Sequence, residues 1–311
     1  MSGPTFRIAD FRPVTASDRA ALESALLRSP EESCEFSFAN LCHWGSVYRN
    51  FYSKFHDIIC FWMRNADTLI LAEAPGPITA RDCIEISSVM RANGHSGVIS
   101  HIREETLRRL PELEQHFKIE LMSEDFGEYI YDVEALAALK GEKYSKKRNL
   151  IAQFRRAYPD HQVHVGLTPE IISSCRELAA FWRASQEDPE SEDIAQEAVA
   201  LEHAFDACEE EGLQLISLLV RGHVAAFSMA APVNRDVWCE PFEKADHRYK
   251  GASQLITAET ARFLAGKCRF LNREQDLGRS GMRQAKLSFH PVRILRNYML
   301  TPRSGAMAGR Q

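Results

Sequence analysis

The chain has 311 residues, 45% of them hydrophobic and 26% charged, enough for two domains that each bury a core. With 38 Lys and Arg against 43 Asp and Glu, the net charge of -5 excludes a protein that coats nucleic acid with its whole surface, so any basic patch is local. Eight cysteines without Cys-x-x-Cys spacing read as reduced, buried thiols, and eleven histidines without a His-x-x-x-His pair leave no metal expected. The most apolar run, Leu213 to Val220, is too short to span a bilayer, so a cytoplasmic protein with no membrane span is expected.

Along the chain, Ala16-Ser17-Asp18 can cap a helix carrying Leu22, Leu26 and Leu27. Cys34 to Trp44 is aromatic, helical or irregular, with Phe36, Phe38 and Trp44 read as core. His56 to Phe61 and Thr68 to Ala72 flank Arg64-Asn65-Ala66-Asp67 as a hairpin. Thr79 to Arg91 and Glu104 to His116 read as helices, the second weakened by Pro111. Phe117 to Met122 and Glu128 to Val133 look like strands. Ala135 to Tyr158 reads as helix, with a break at Gly141.

That last stretch presents Lys143, Lys146, Lys147 and Arg148. A charge run of this kind is usually a solvated helix, here joining two domains; the functional alternative is a polyanion-binding face. Helices are then predicted over Pro169 to Gln186 and Ile194 to Glu211, followed by a hairpin of Leu213 to Val220 and His223 to Pro232 around Arg221-Gly222. Val292 to Leu300 supplies a last strand, and 304–311 a disordered tail.

Val237 to Pro291 carries the densest chemistry. A strand, Val237 to Phe242, leads through charged residues to the turn Arg248-Tyr249-Lys250-Gly251-Ala252-Ser253-Gln254. A helix with Leu255, Ala258, Arg262 and Phe263 on one face follows, and Gly266 closes it. Strand, glycine turn and helix together point backbone N–H groups at an anion.

The stretch Phe242-Glu243-Lys244-Ala245-Asp246, Tyr249-x-Gly251, Asn272-Arg273-Glu274-x-Asp276-Leu277-Gly278 and Gly281-x-Arg283-x-Ala285-Lys286-Leu287-Ser288 resembles the DUF2156 family. That family is related to the C-terminal catalytic domain of phosphatidylglycerol lysyltransferases. Tyr144-x-Lys146-Lys147-Arg148-Asn149 and Phe36-x-Phe38-Ala39-Asn40 also look like its pattern, so the resemblance runs from about Phe36 to Pro291.

The resemblance implies an α+β fold of two tandem GNAT-like domains, each a mixed, mostly antiparallel sheet flanked by helices. The division expected is 1–140, a basic linking helix at 141–160, and 161–303 with the active site. It implies acyl or aminoacyl transfer from acyl-CoA or aminoacyl-tRNA to an amine or hydroxyl on a small molecule or peptide. The chain lacks the membrane-spanning half of lysyltransferases, which leaves the lipid acceptor and the tRNA donor open.

Acyl transfer needs a seat for donor phosphates, donors for the developing oxyanion, and a base. Arg248-x-x-Gly251-Ala252 is close to the GNAT pyrophosphate loop, with the amides of Gly251 to Gln254 facing phosphate, although Ser253 stands where a second glycine or alanine is common. Glu243 or Asp246 is the candidate base, each equally able to pair with Lys244, Lys250 or Arg248; His247 is a further catalytic candidate by residue type, although a surface histidine is commoner than a catalytic one. Asn272, Asp276, Arg283 and Lys286 are candidate substrate-binding residues, although Asp276, Arg283 and Lys286 could instead pair to hold their own loop. The competing function is a non-catalytic RNA-binding module on the same scaffold, using the Lys143 to Arg156 helix.

Overall fold

A computed structural model describes residues 5–303; the tail expected over 304–311 lies outside the described residues. The strands are β1 (Arg12–Pro13), β2 (Asn50–Phe55), β3 (Ile58–Met63), β4 (Thr68–Ala72), β5 (Val98–Ile102), β6 (Phe117–Leu121), β7 (Glu128–Asp132), β8 (Gln162–Val165), β9 (Gln214–Val220), β10 (His223–Pro232), β11 (Val237–Ala245), β12 (Phe270–Asn272), β13 (Arg293–Leu295) and β14 (Tyr298–Pro302). They form two seven-stranded sheets, ordered β1-β2-β3-β4-β5-β14-β6 and β13-β7-β12-β11-β10-β9-β8. Each sheet is antiparallel except for one parallel pair, β4 with β5 and β11 with β12.

A parallel pair needs a crossover, and a helix supplies it in both sheets: Ala80–Ala92 in the first and Ala252–Leu264 in the second. Thr79 starts the first of these with a capping box, its hydroxyl accepting from Asp82 N–H while the Asp82 carboxylate accepts from Thr79 N–H. The second buries Leu255, Ile256, Ala258, Ala261 and Leu264 against its sheet. Its small alanines allow close approach, and each large apolar side chain contributes roughly 1.5–3 kcal/mol. Arg262, placed on that face by periodicity, points outward and is exposed; Ala261 and Leu264 hold the face instead.

One apolar core joins Phe36, Phe38 and Phe61 to Phe227, Met229 and Phe242, and so bridges the two sheets. Phe36 and Phe38 are buried core residues, as expected, and Trp44 packs partly buried against them.

Several expectations shift. The predicted helix to His116 stops at Arg109, because Pro111 lacks the N–H that would extend it, and a 3-10 turn follows. Ala135 to Tyr158 is two helices, Val133–Ala138 and Ser145–Ala157, broken where Leu139 and Gly141 take positive φ. The final predicted strand is two, β13 and β14, in different sheets. Between them Asn297 turns inward, its carbonyl accepting from Met122 N–H. Strands β2, β5, β8 and β12 are additions to the elements read from sequence. Among the described residues, no helix is long and apolar enough to cross a membrane.

Candidate active site

Strands β11 and β12 pair only at Val237–Phe270, Trp238–Leu271 and Cys239–Asn272. Beyond that point β11 runs on to Ala245, whereas the other chain turns away through Glu274 at φ 57°. The parallel strands therefore splay at their carboxyl ends, where open sheets place ligands.

A bulge decides what fills the splay. The register between β10 and β11 slips between Met229–Phe242 and Ala231–Cys239, leaving Glu240-Pro241 as the extra length. Pro241 has no N–H to give to a ladder, so a bulge suits it. The slip resets the two-residue alternation and puts Glu240 and Glu243, three apart, on one face. Arg273 then bridges them: Nε donates to Glu240 at 2.5 Å and Nη2 to Glu243 at 2.7 Å.

Arg273 is nearly buried. Burial opposes its charge, and the two carboxylates outweigh burial and raise its proton affinity. Glu240 is pushed upward by burial, against the pull of Arg273, and accepts from Ser228 Oγ at 2.6 Å. Glu243 is half-buried and accepts from Thr257 Oγ1 at 2.7 Å and Ser253 Oγ at 3.2 Å, which ties it to the first turns of the crossover helix.

The turn after β11 is built on Asp246. It accepts from Arg248 N–H at 2.9 Å and from the Arg248 guanidinium, whose face lies 4.3 Å from the Phe181 ring. Burial pushes Asp246 up, but these hydrogen bonds win and hold it below the ordinary carboxylate range. His247 is exposed and stacks on Phe181 at 5.7 Å. Lys244 pairs with Glu197 at 2.8 Å, not with Glu243 or Asp246.

Gly251 has φ 95°, and a Cβ there would come within 2.3 Å of the Leu150 carbonyl, so the turn leans directly on the helix Ser145–Ala157. Ala252 N–H donates to the Tyr249 carbonyl. The amides of Gly251, Ser253 and Gln254 have no partner among the described residues. A cleft of about 280 Å3 opens beside the turn, lined by Tyr158, Val220, Arg221, Arg248 and Tyr249. Lys250 stands exposed at the surface.

Asn272, Asp276, Arg283 and Lys286 are engaged by the protein itself. Asn272 Nδ2 donates to Glu128 at 2.5 Å and to the Glu32 carbonyl. Asp276 accepts from Tyr129 Oη and from Arg283, which also reaches Asp125. Lys286 Nζ donates to the carbonyls of Arg273 and Gln275, both at 2.5 Å; burial first, then the charge of Arg273, push it down to about 8. Together they clamp the 273–278 segment that forms one wall of the splay.

Of the basic run, Lys147 turns inward to Ser288 Oγ at 2.6 Å and Arg148 donates to the carbonyls of Leu139 and Gly141. Lys143 and Lys146 remain exposed.

Sequence reasoning passed over Glu240 and Arg273 as site residues, and also an acidic trio. Glu35 is pushed up to about 8 by burial and by Glu128 and Glu274. Glu274, accepting from Asn40 Nδ2 at 2.8 Å, is pushed up to about 7 by burial. The aromatic Phe36-x-Phe38-Ala39-Asn40 signature was the signal available for this corner, since Glu35 precedes it and Asn40 ends it.

A profile of the family described as phosphatidylglycerol lysyltransferase, C-terminal, matches residues 28–301. The crystal structure of a conserved protein of unknown function from Bacteroides thetaiotaomicron VPI-5482 is similar at a TM-score of 0.88 and 29% identity, covering 94% of this chain and 99% of that one. L-PGS from Bacillus licheniformis is similar at 0.62 and 13% identity, over 92% and 93% of the two chains. A GNAT-family acetyltransferase from Colwellia psychrerythraea gives 0.50 at 10% identity, over 94% and 99%. The last two likenesses concern the fold alone: two mixed, mostly antiparallel sheets flanked by helices, the α+β tandem GNAT-like class. An uncharacterized protein of Mycoplasmoides gallisepticum is 24% identical over 187 residues, and the match spans 59% of each chain.

Proposed function

This chain belongs to the family described as phosphatidylglycerol lysyltransferase, C-terminal, and from that premise we propose that it transfers an acyl or aminoacyl group from a phosphate-bearing carrier to an amine or hydroxyl. The donor is acyl-CoA or aminoacyl-tRNA, and the acceptor a small molecule or peptide. The observation that carries this reading is the splay of β11 from β12, with a glycine turn and helix start beside it.

In this reading the amides of Gly251, Ser253 and Gln254, which have no partner among the described residues, take the carrier phosphate, aided by the positive end of the helix. The acyl carbonyl lies in the splay. The acceptor N–H or O–H attacks the carbonyl carbon; the new C–N or C–O bond forms and the carrier's C–S or C–O bond breaks. The acceptor's proton passes to Glu243, and the carrier leaves as thiol or hydroxyl after taking up a proton.

Glu243 is preferred to Asp246 as base because it stands in the splay beside Arg273 and the first turns of the crossover helix, whereas Asp246 is taken up by its own turn, accepting from the Arg248 N–H and guanidinium. Arg273 and Glu240 position Glu243. Calorimetry with CoA, acyl-CoAs and charged tRNA tests the proposal, together with transfer assays on Glu243→Gln. Donor binding retained, with transfer reduced roughly 10²–10⁴-fold, is the expected outcome. No binding of any donor to the wild type overturns the reading.

A further inference from the structure

We propose that Lys147 is the general acid of the reaction, the group that gives a proton to the carrier as it leaves; the inference rests on the acyl-transfer reading above, in which the source of that proton is open. Glu243 takes the acceptor's proton, the carrier's C–S or C–O bond breaks, and the electron pair of that bond stays on the sulfur or oxygen. A proton from the Lys147 ammonium makes that atom a thiol or hydroxyl. Lys147, left neutral, regains a proton from water, and Glu243 gives one up, so protons balance over a turnover.

The start of the helix Ser145–Ala157 runs against the usual placement of charge. Its first turn holds Lys146 and Lys147 and no acid. Cations are disfavoured there, because the unpaired N–H groups make that end positive. Lys146 is exposed to water, and Arg148 donates to the carbonyls of Leu139 and Gly141. Lys147 instead turns inward and is half-buried. Its Nζ donates to Ser288 Oγ at 2.6 Å, and that hydroxyl donates its own proton to the Ala285 carbonyl at 2.5 Å. Among the described residues, two N–H groups of the ammonium have no partner and no carboxylate pairs with it.

The neighbours of Lys147 belong to the splay. Its Nζ lies 4.1 Å from the centre of the Phe289 ring, and the Arg273 guanidinium lies 5.4 Å from the same ring. Arg273 in turn holds Glu240 and Glu243. Tyr144 Oη donates to the Phe289 carbonyl at 3.2 Å and fixes the helix start against this ring. Burial, then the charge of Arg273, lower the proton affinity of Lys147, while Glu243 opposes them. A buried lysine eased toward release suits acid catalysis, because the best acid has a proton affinity near the working pH.

The donor's track passes this side chain. Gly251, whose amide takes the carrier phosphate in the acyl-transfer reading, leans on the Leu150 carbonyl. Lys147 is three residues before Leu150, so it shares that side of the helix, nearer the helix start. The leaving atom lies between the carrier phosphate and the acyl carbon. Lys147 lies correspondingly between the Gly251 turn and the Arg273–Glu243 pair.

The test uses the full chain and measures transfer to hydroxylamine from acetyl-CoA, from an aminoacylated RNA and from p-nitrophenyl acetate, whose nitrophenolate leaves without a proton. The variants are Lys147→Met, which removes the charge, and Lys147→Arg, which keeps the charge but holds its proton too tightly to give it. Both are expected to lose roughly 10²–10⁴-fold in transfer from the carrier that the wild type uses, with binding of that carrier unchanged by calorimetry. Transfer from p-nitrophenyl acetate should be unchanged, whereas loss of a merely structural lysine would slow every donor alike. Circular dichroism checks that the variants keep the wild-type fold; should Lys147→Met lose it, Lys147→Arg alone decides.

Carrier-borne acyl groups transferred at the wild-type rate by Lys147→Arg overturn the inference, since charge without a transferable proton would then suffice. An equal loss with the aryl ester and the carrier overturns it too. In both cases acyl transfer itself stands. No transfer from any donor by the wild type overturns both proposals.

Discussion

At the scale of single residues, the interior is governed by how each buried charge is answered. Arg273 has two carboxylates, Asp276 has Tyr129 and Arg283, and Asp246 has Arg248. Glu35 has no such answer: its neighbours Glu128 and Glu274 are acids, and its ordinary pKa of 4.5 rises to about 8. Between those two values the unfolded chain gives up this proton while the folded chain keeps it. Stability from this group is therefore flat below pH 4.5 and falls as pH rises toward 8.

Glu35→Gln removes that loss. The variant should match the wild type near pH 4.5 and exceed it by about 2 kcal/mol at pH 8, an effect shared among three coupled acids. Urea denaturation at several pH values measures the gap, and a gap that does not widen with pH contradicts the assignment. Sequence could not show this. Glu35, Glu128 and Glu274 are far apart in the chain, and only the fold makes them neighbours.

At the scale of elements, local signals were legible where turn chemistry was strong. The Arg221-Gly222 hairpin, the Thr79 start and the Gly251 turn all sit where spacing placed them. Elements were missed where the strand was short or its pattern was not apolar alternation, as with Gln162–Val165 and Phe270–Asn272. The bulge at Glu240-Pro241 was also hidden, because a shift in pleat is set by the partner strand. It is why Glu243 emerged as a candidate but Glu240 did not.

Gly251 is the element-scale test. Its φ of 95° and the Leu150 carbonyl at 2.3 Å from an added Cβ leave no room for a side chain. Gly251→Ala should cost roughly 2–4 kcal/mol, from backbone strain plus overpacking. The denaturation midpoint reads this, and an unchanged midpoint would show that the turn does not bear on the helix Ser145–Ala157.

At the scale of the molecule, the two halves exchange strands. β7, from the first half, lies between β12 and β13; β14, from the last residues, lies between β5 and β6. The family resemblance implied the α+β, two-sheet class, but the pairing of distant segments has no local signature. A division after residue 140 follows chain order and cuts across this exchange.

We therefore predict that a fragment of residues 5–140 lacks a cooperative unfolding transition, because its sheet is missing β14 and its β7 has no partner. Circular dichroism during urea titration checks this, and a sharp two-state transition would show that the first half is independent.

The most direct test of the acyl-transfer account is a crystal structure with a bound donor, obtained with CoA and with a short aminoacylated RNA. The account predicts phosphate at the amides of Gly251, Ser253 and Gln254, with the acyl carbonyl between β11 and the 273–278 segment. Donor bound elsewhere on the protein, with that turn empty, would contradict it.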